Sequence, residues 1–571
     1  MGYGTTRTLE RVAAAIGELE AAPIIFQAAQ DVPQGGVLLA LPALLAVGLL
    51  RHSVELYALP KGFYGLSSVL VLLALMALAR IRSIEQLRYA AAGEWGNLLG
   101  LDRAPEVRTL RAKLKLLCAG QGQAAHWNAL LAKQWMEQPG AGEDSCVVFY
   151  VDGHVRVYHG ELTQLPLHYV PRERFSMRAT VDYWVNALDG QPFCYFNQAV
   201  DHGLVQAMRG DVLPWLEAQV TVSEEHQQRM TADPRVPRFT VVFDREGYSP
   251  DLFLELQQQQ IAVLTYHRYP DEKDWGVEEF QERDVQLVNG ESVRMKLAER
   301  GTHVGKRPGL WVREVRKMGA GGHQISIIST NFSGDAAAQA VSLMARWSQE
   351  NYFKYMRQNF GLDALVQYGT EEMPATATVV NPAWQAVNRQ VRKKQAEVKS
   401  LQKQQQNVGL TQPLSEATVH LYEQHQGKLQ EDIEQLQPAL DLLLQQRKQT
   451  PRHILVQDLP EPDRFTRLRT ERKHFLDVIK MIAYRAETAM TSTVREMLTR
   501  SDDARALLRQ IYHTEVDLIP DPATKTLTVH LHHLTQQAHD AAARYLCEEL
   551  TATETIFPGT NLRLRYTIGS S

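Results

Sequence analysis

VVFYVDGHVRVYHG, residues 147–160, runs apolar β-formers and aromatics into Asp152, passes Gly153, and then resumes an alternating pattern. Asp-Gly is a strong hairpin signal, so SCVVFYV (145–151) and HVRVYHG (154–160) read as two strands around a solvent-exposed turn. The other reading is a carboxylate held rigidly at the mouth of a sheet, where it can bind a metal. The rest of the chain decides between them.

Further strand signals follow: ATVDYWVNAL (179–188), PFCYF (192–196), RFTVVF (238–243) and IAVLTY (261–266). DGQP (189–192) reads as a hairpin turn between the first two. Helical stretches flank RFTVVF on both sides. A β meander followed by helix, strand, helix, strand is the order of an RNase H-like core, a mixed sheet flanked by helices. Residues 267–322 are polar and strand-rich, and read as a β insertion into that core. ISIIST (325–330) is one more strand, and residues 335–360 read as one long helix.

RFTVVFDREGYSP (238–250) repeats the logic of the opening stretch, with apolar β-formers running into Asp244. In such a sheet the two strands are parallel neighbours, so Asp152 and Asp244 stand side by side. Two carboxylates packed together repel unless a cation sits between them. Glu350, on the helix that follows the insertion, is the candidate third acid. An all-oxygen site of this kind suits Mg²⁺, with Mn²⁺ able to substitute. Two such ions activate a water or 3′-hydroxyl and stabilise the leaving oxygen at a phosphodiester.

These residues carry a resemblance. The chain is similar to insertion-sequence transposases of the DDE type, and most to a group with a β insertion and a Tyr-x2-Arg-x3-Glu-x6-Lys signature around the last acid. The matching positions are Leu343, Arg346, Glu350 and Arg357. Arg and Glu match, a second cation replaces Lys, and Leu replaces Tyr. DREGYS (244–249), KMIAYRAETAM (480–490) and PGTNLRLRY (558–566) extend the resemblance, which covers roughly residue 37 to the end. It implies that Asp152, Asp244 and Glu350 bind two Mg²⁺ ions. It implies that Arg346 and Arg357, at i−4 and i+7 from Glu350, contact phosphate. It also implies a Trp from the insertion that stacks a flipped base, with Trp311 first and Trp275 second. The implied activity is cleavage of element ends and joining of 3′-hydroxyls to target DNA, by a homodimer on double-stranded DNA.

Outside the core, residues 1–120 read as helical. VLLALPALLAVGLL (37–50) and VLVLLALMALARI (69–81) are too short or too interrupted to span a membrane and read as buried helices. Residues 82–117 suit a helix-turn-helix whose last helix carries Arg108, Arg111, Lys113 and Lys115 to DNA. A solvated basic face explains the same residues equally well. Residues 380–500 read as a coiled-coil hairpin followed by a basic amphipathic helix at 464–490. That helix either grips DNA or forms part of a dimer contact with a solvated outer face. Residues 501–571 read as a small α+β region, and 140–375 as the catalytic core. HLHH (530–533) puts His530 and His532 on one strand face, but no third metal ligand is evident, so a wet strand face is preferred.

The totals agree with this reading. The 571 residues allow several domains, and 44% hydrophobic with 22% charged residues is globular composition. The net charge of −4 confines any DNA contact to local basic patches. Four cysteines without CxxC spacing, and no secretion signal, point to the cytoplasm and, with DNA as partner, to the nucleoid. An RNase H-like nuclease that hydrolyses without joining, and a silent DNA-binding descendant of a transposase, remain as alternatives.

Overall fold

The computed structural model describes residues 7–137, 147–160, 164–170, 173–270, 274–287, 292–305, 309–364, 366, 369–407, 416–498, 500 and 503–570. The fold is multidomain α/β, about half helical, with several sheets. The chain divides into two compact units. One comprises Met1–Tyr158, His168–Gly369 and Arg469–Ser571, and the other His159–Leu167 and Thr370–Leu468. Ser145 and Cys146, the start of the first expected strand, and residues 408–415, between the two coiled-coil helices, lie outside the described residues.

The first strand, β1 (Ala29–Val32), falls within residues expected to be helical. A ten-stranded sheet then dominates the larger unit. Its strands are β2 (Val148–Val157), β3 (Leu167–Val170), β4 (Phe175–Asn186), β5 (Pro192–Gln198), β6 (Phe239–Val242), β7 (Ile261–Tyr266), β8 (Gln281–Gln286), β9 (Ser292–Val304), β10 (Leu310–Met318) and β11 (Gln324–Ser329). β4 lies antiparallel to both β2 and β5. β6 lies parallel to β2, and β7 parallel to β6. The expected insertion does not form a separate lobe. β11, β10, β9 and β8 continue the same sheet from the edge of β7, each antiparallel to its neighbour.

The Asp152-Gly153 turn is absent. β2 is one strand that passes straight through both residues, paired with β4 from Tyr150–Asn186 to Val157–Ala179. The long partner strand supplies hydrogen bonds across the dipeptide, and that ladder overrides its local turn preference. Gly153 serves a different end. It lies opposite Tyr183, and a Cβ on it would sit 3.1 Å from the tyrosine ring.

Two helical expectations also change. The segment 335–360 breaks at Ala345 into Ala336–Met344 and Arg346–Phe360. The basic helix is Glu471–Arg495, and it is neither a DNA-facing surface nor a half-exposed dimer face. Phe475, Leu476, Val478, Ile479, Met481, Ile482 and Ala483 are all buried, so apolar residues occupy every side of it. Its charges are buried with them. Asp477 is fully enclosed and receives Lys473, lies 3.8 Å from Lys480 and 3.9 Å from Arg156, and accepts from the Tyr195 hydroxyl at 3.1 Å. Arg156 in turn pairs with buried Asp182 at 2.6 Å. The charge that looked amphipathic is a closed internal network joining this helix to β2 and β4.

Among the described residues no helix is long and apolar enough to cross a membrane. Pro42 sits in the first turn of helix Leu41–Val47, where its missing N–H costs nothing, so it starts a buried helix rather than breaking one.

In the smaller unit β12 (Thr370–Glu372) pairs with β15 (Thr466–Leu468), and β13 (Thr378–Val380) with β14 (His453–Leu455). Helices Pro382–Asn407 and Glu416–Gln449 pack along Val391, Val398 and Leu440, flanked by Val387, Ile433, Leu436 and Leu443. Val387, Val391 and Val398 on one helix and Ile433, Leu436, Leu440 and Leu443 on the other follow heptad spacing. The chain ends in a four-stranded sheet of order β1–β16–β17–β18, with β16 Val516–Asp521, β17 Thr526–His532 and β18 Arg563–Gly569.

Removing Asp477 would strand three buried cations around one remaining acid. Asp477→Ala should cost about 3–5 kcal/mol, read as a lowered denaturant midpoint. Adding Lys473→Met should recover part of that loss, and no recovery would show that the network is not what stabilises the helix.

Candidate functional site

β2 and β6 pair for three residues, Val148–Thr240 to Tyr150–Val242, and both then run on toward an acid. Asp152 lies two residues past the last pair on β2, still held by β4. Asp244 lies two residues past it on β6, where the chain turns. Its carboxylate accepts the Glu246 N–H at 2.8 Å and so caps the short turn Arg245–Gly247. The parallel register thus brings both carboxylates to the same sheet edge.

Helix Arg346–Phe360 crosses this edge. It buries Gln349, Tyr352, Phe353, Met356 and Phe360, a stripe at helical spacing. Gln349 fixes its height above the strands, donating to the Tyr150 and Trp184 carbonyls at 3.3 Å and to Asn186 Oδ1 at 2.8 Å. His154 stacks on Phe353, with ring centroids 5.0 Å apart. The next residue after Gln349 is Glu350.

Arg346 closes the cluster. Its guanidinium reaches Asp152 at 3.3 Å and Glu350 at 2.6 Å. It therefore bridges the strand acid and the helix acid in the manner of a cation. Asp152 is largely enclosed, and burial pushes its carboxyl up to about 7. Arg346 and the Gly153 N–H oppose that rise, while like charge from Asp244 and Glu246 adds to it. Burial works against the Arg346 charge, but Asp152, Glu350 and Asp244 outweigh it and hold the guanidinium more firmly protonated. The donors here are all carboxylate oxygens, which fits a hard dication and not a soft one.

Glu246 is an acid that the sequence reading passed over, although it sits in plain view within DREGYS. It lies within electrostatic reach of Asp152, Asp244 and Asp201. Asp201 is itself held by the Tyr183 hydroxyl at 2.6 Å and by the Gly203 N–H at 2.8 Å. Trp347 was also passed over. It is 67% exposed and stands between Arg346 and Glu350 in sequence.

The remaining expected residues fall in varied places. Leu343, at the Tyr position of the signature, is buried under the sheet extension and offers nothing to DNA. Arg357 lies two turns beyond Glu350, and its Nε is buried without a hydrogen-bond partner. Trp311 is half exposed, lies over Gly301 and meets His303 edge-on at 4.6 Å. Trp275 is buried between the guanidinium groups of Arg300 and Arg316. On helix Val107–Leu117, Leu110, Leu114 and Leu117 face the core, while Arg108 and Lys115 are exposed. Arg111 is held by Glu85 at 2.8 Å, and burial lowers the Lys113 ammonium.

The family model described as transposase protein, Transposase_29, matches residues 2–570. The chain belongs to this transposase family. No curated protein matches it.

Site and family together direct attention to the strained acid. An Asp152 carboxyl raised to about 7 weakens the fold when ionised. The folded state is favoured below the ordinary carboxylate range, and that advantage is lost as pH rises through about 7. Asp152→Asn removes the ionisation. Full linkage sets a ceiling of about 4 kcal/mol, and the amide N–H₂ facing Arg346 reduces the net gain to about 2 kcal/mol. The variant should melt above wild type at pH 8 without metal, and the difference should shrink as pH falls toward 4. A constant difference across that range would mean that Asp152 is not the strained group.

Proposed function

We propose that this chain is a DDE-type DNA transposase whose core is RNase H-like, and that Asp152, Asp244 and Glu350 bind two Mg²⁺ ions at its active site. The observation that carries this reading is that Asp152 and Glu350 both contact the Arg346 guanidinium, with Asp244 within electrostatic reach of it, although the three acids do not lie within 4.8 Å of one another before an ion is bound. The strand order adds support. Antiparallel β5–β4–β2 followed by parallel β6 and β7 is the order of an RNase H-like sheet. Bound there, the metal would supply charge neutralisation and an activated oxygen nucleophile at a phosphodiester.

The chain's own residues do the rest. Asp152 and Asp244 hold fixed positions because the sheet fixes them, and Glu350 arrives on a helix locked by Gln349. Asp152 must lose its proton before it can act as a ligand. Arg346 neutralises the acids, and where a bound metal held their charge it would be free to meet a DNA phosphate. Arg357 would take a phosphate further along the same helix face. Trp311, exposed on the sheet extension, would stack an unpaired base near the cut. The 3′-hydroxyls released at the element's terminal repeats would then attack target DNA, with two copies pairing the two ends.

An excision assay in cells tests the chemistry. A marker flanked by the DNA bordering this gene should be excised by wild type. Glu350→Gln should lower excision by about a hundredfold or more while leaving end binding intact. Full excision by the variant would remove Glu350 from the site. Specific end binding without excision by either protein would identify a silent descendant.

Helix Val107–Leu117 has its own test. Replacing the exposed Arg108 and Lys115 by Gln should flatten the dependence of log K on log salt by about 2, one phosphate contact each. An unchanged slope would put end recognition elsewhere.

A further inference from the structure

HLHH offered two histidines and no partner, and the fold supplies partners for one of them. His532 ends β17, beside Asp517 on the neighbouring β16 and Glu515 just before that strand. His532 Nε2 is 3.1 Å from Asp517 Oδ1 and 3.9 Å from Asp31 Oδ1. Asp31 comes from β1, at the other end of the chain. Among the described residues this is the one group of three His, Cys, Asp or Glu ligand atoms that lie mutually within 4.8 Å. His530 stays outside it, its ring nitrogens meeting Thr567 Oγ1 at 2.8 Å and the Ser570 carbonyl at 3.1 Å.

We propose that Asp31, Asp517 and His532 form a structural site for a zinc-class dication that staples β1 to the C-terminal sheet. Ligands on one ion about 2.0–2.2 Å away stand roughly 3–3.5 Å apart, so the His532–Asp517 spacing already fits and Asp31 has to close on His532 by a few tenths of an ångström. One imidazole with two carboxylates favours a borderline metal over Mg²⁺. One feature outside the ligand atoms points the same way. The Glu515 carboxylate lies 3.9 Å from His532 Nδ1, on the side away from the ion, where a carboxylate orients a metal-bound imidazole. Asp517 is almost fully buried, and its ligand atom Oδ1 already accepts the Asp31 N–H at 2.9 Å, which fixes it beside Asp31. Three protein ligands leave a position for water. The staple has a structural task, because β1 meets β16 through only two register pairs, Ala29–Leu518 and Val32–Val516, with a bulge between them.

The experiment uses the full chain without a histidine tag, stripped with chelator. Equimolar Zn²⁺ should raise the melting temperature by about 2 °C, and Co²⁺ should give visible absorption bands of a low-coordinate site. Asp31→Asn should abolish both. It is a gentle variant, because Asp31 is exposed and has a φ of 52°, which Asn accepts readily. Glu350→Gln should keep both signals, which separates this site from the carboxylate cluster on the large sheet. Zn²⁺ without effect on wild type, or Asp31→Asn with an unchanged Co²⁺ spectrum, overturns the proposal.

Discussion

β2 and β6 lie side by side in parallel for only three residue pairs, and the site hangs on that short register. Slipping either strand by one residue would turn its acid to the opposite face of the sheet. The register is held from both sides. On one flank β4 pairs with β2 along most of its length. On the other, β7 pairs with all four residues of β6. Phe149, Tyr150, Val151, Val241 and Val242 are essentially without exposure, so packing penalises any slip. The acids can therefore be forced together at a cost that the core absorbs.

The same economy governs the helix behind the sheet. Lys473, Asp477, Lys480 and Arg485 all lie inside the protein. Such charges pay a desolvation penalty and recover it only with close partners. Asp477 has three cations near it, and Arg156 shares its charge between Asp182 and Asp477. Arg485 has no carboxylate in contact. It donates to the Pro192 carbonyl at 2.9 Å and stacks over Trp135 and Phe193. Polar satisfaction here is distributed across β2, β4 and β5, and it orients Glu471–Arg495 against the strands that carry the site.

What the sequence disclosed follows from the range of the forces involved. The DGQP hairpin and the coiled-coil seam are written in local periodicity, and the structure contains both. Asp152 and Asp244 were legible as acids that close apolar runs. The Asp-Gly pair misled because its turn preference is local, whereas β4 imposes a long ladder. Glu471–Arg495 misled because charge was taken to mean solvent. Nothing nearby in sequence announces that Arg156 and Asp182 wait inside. The strand at Ala29–Val32 was illegible for a similar reason, since its partner β16 lies almost five hundred residues away.

Arg346 carries the remaining step. A guanidinium between two acids eases their repulsion, but on the proposed metal-binding reading one that bound too well would exclude the metal. Here the geometry is uneven. Arg346 is close to Glu350, at 2.6 Å, and further from Asp152, at 3.3 Å. Glu350 is substantially exposed, so that contact is the more heavily screened of the two. The weaker approach falls on Asp152, the acid whose charge the fold already disfavours. On the proposed reading a dication would bring twice the charge of the guanidinium, and at Asp152 it would displace a proton more than it would displace Arg346. On the proposed metal-binding reading, burial sets a pH of about 7 above which Asp152 could serve as a ligand, and a cation held there would offset the cost of its charge.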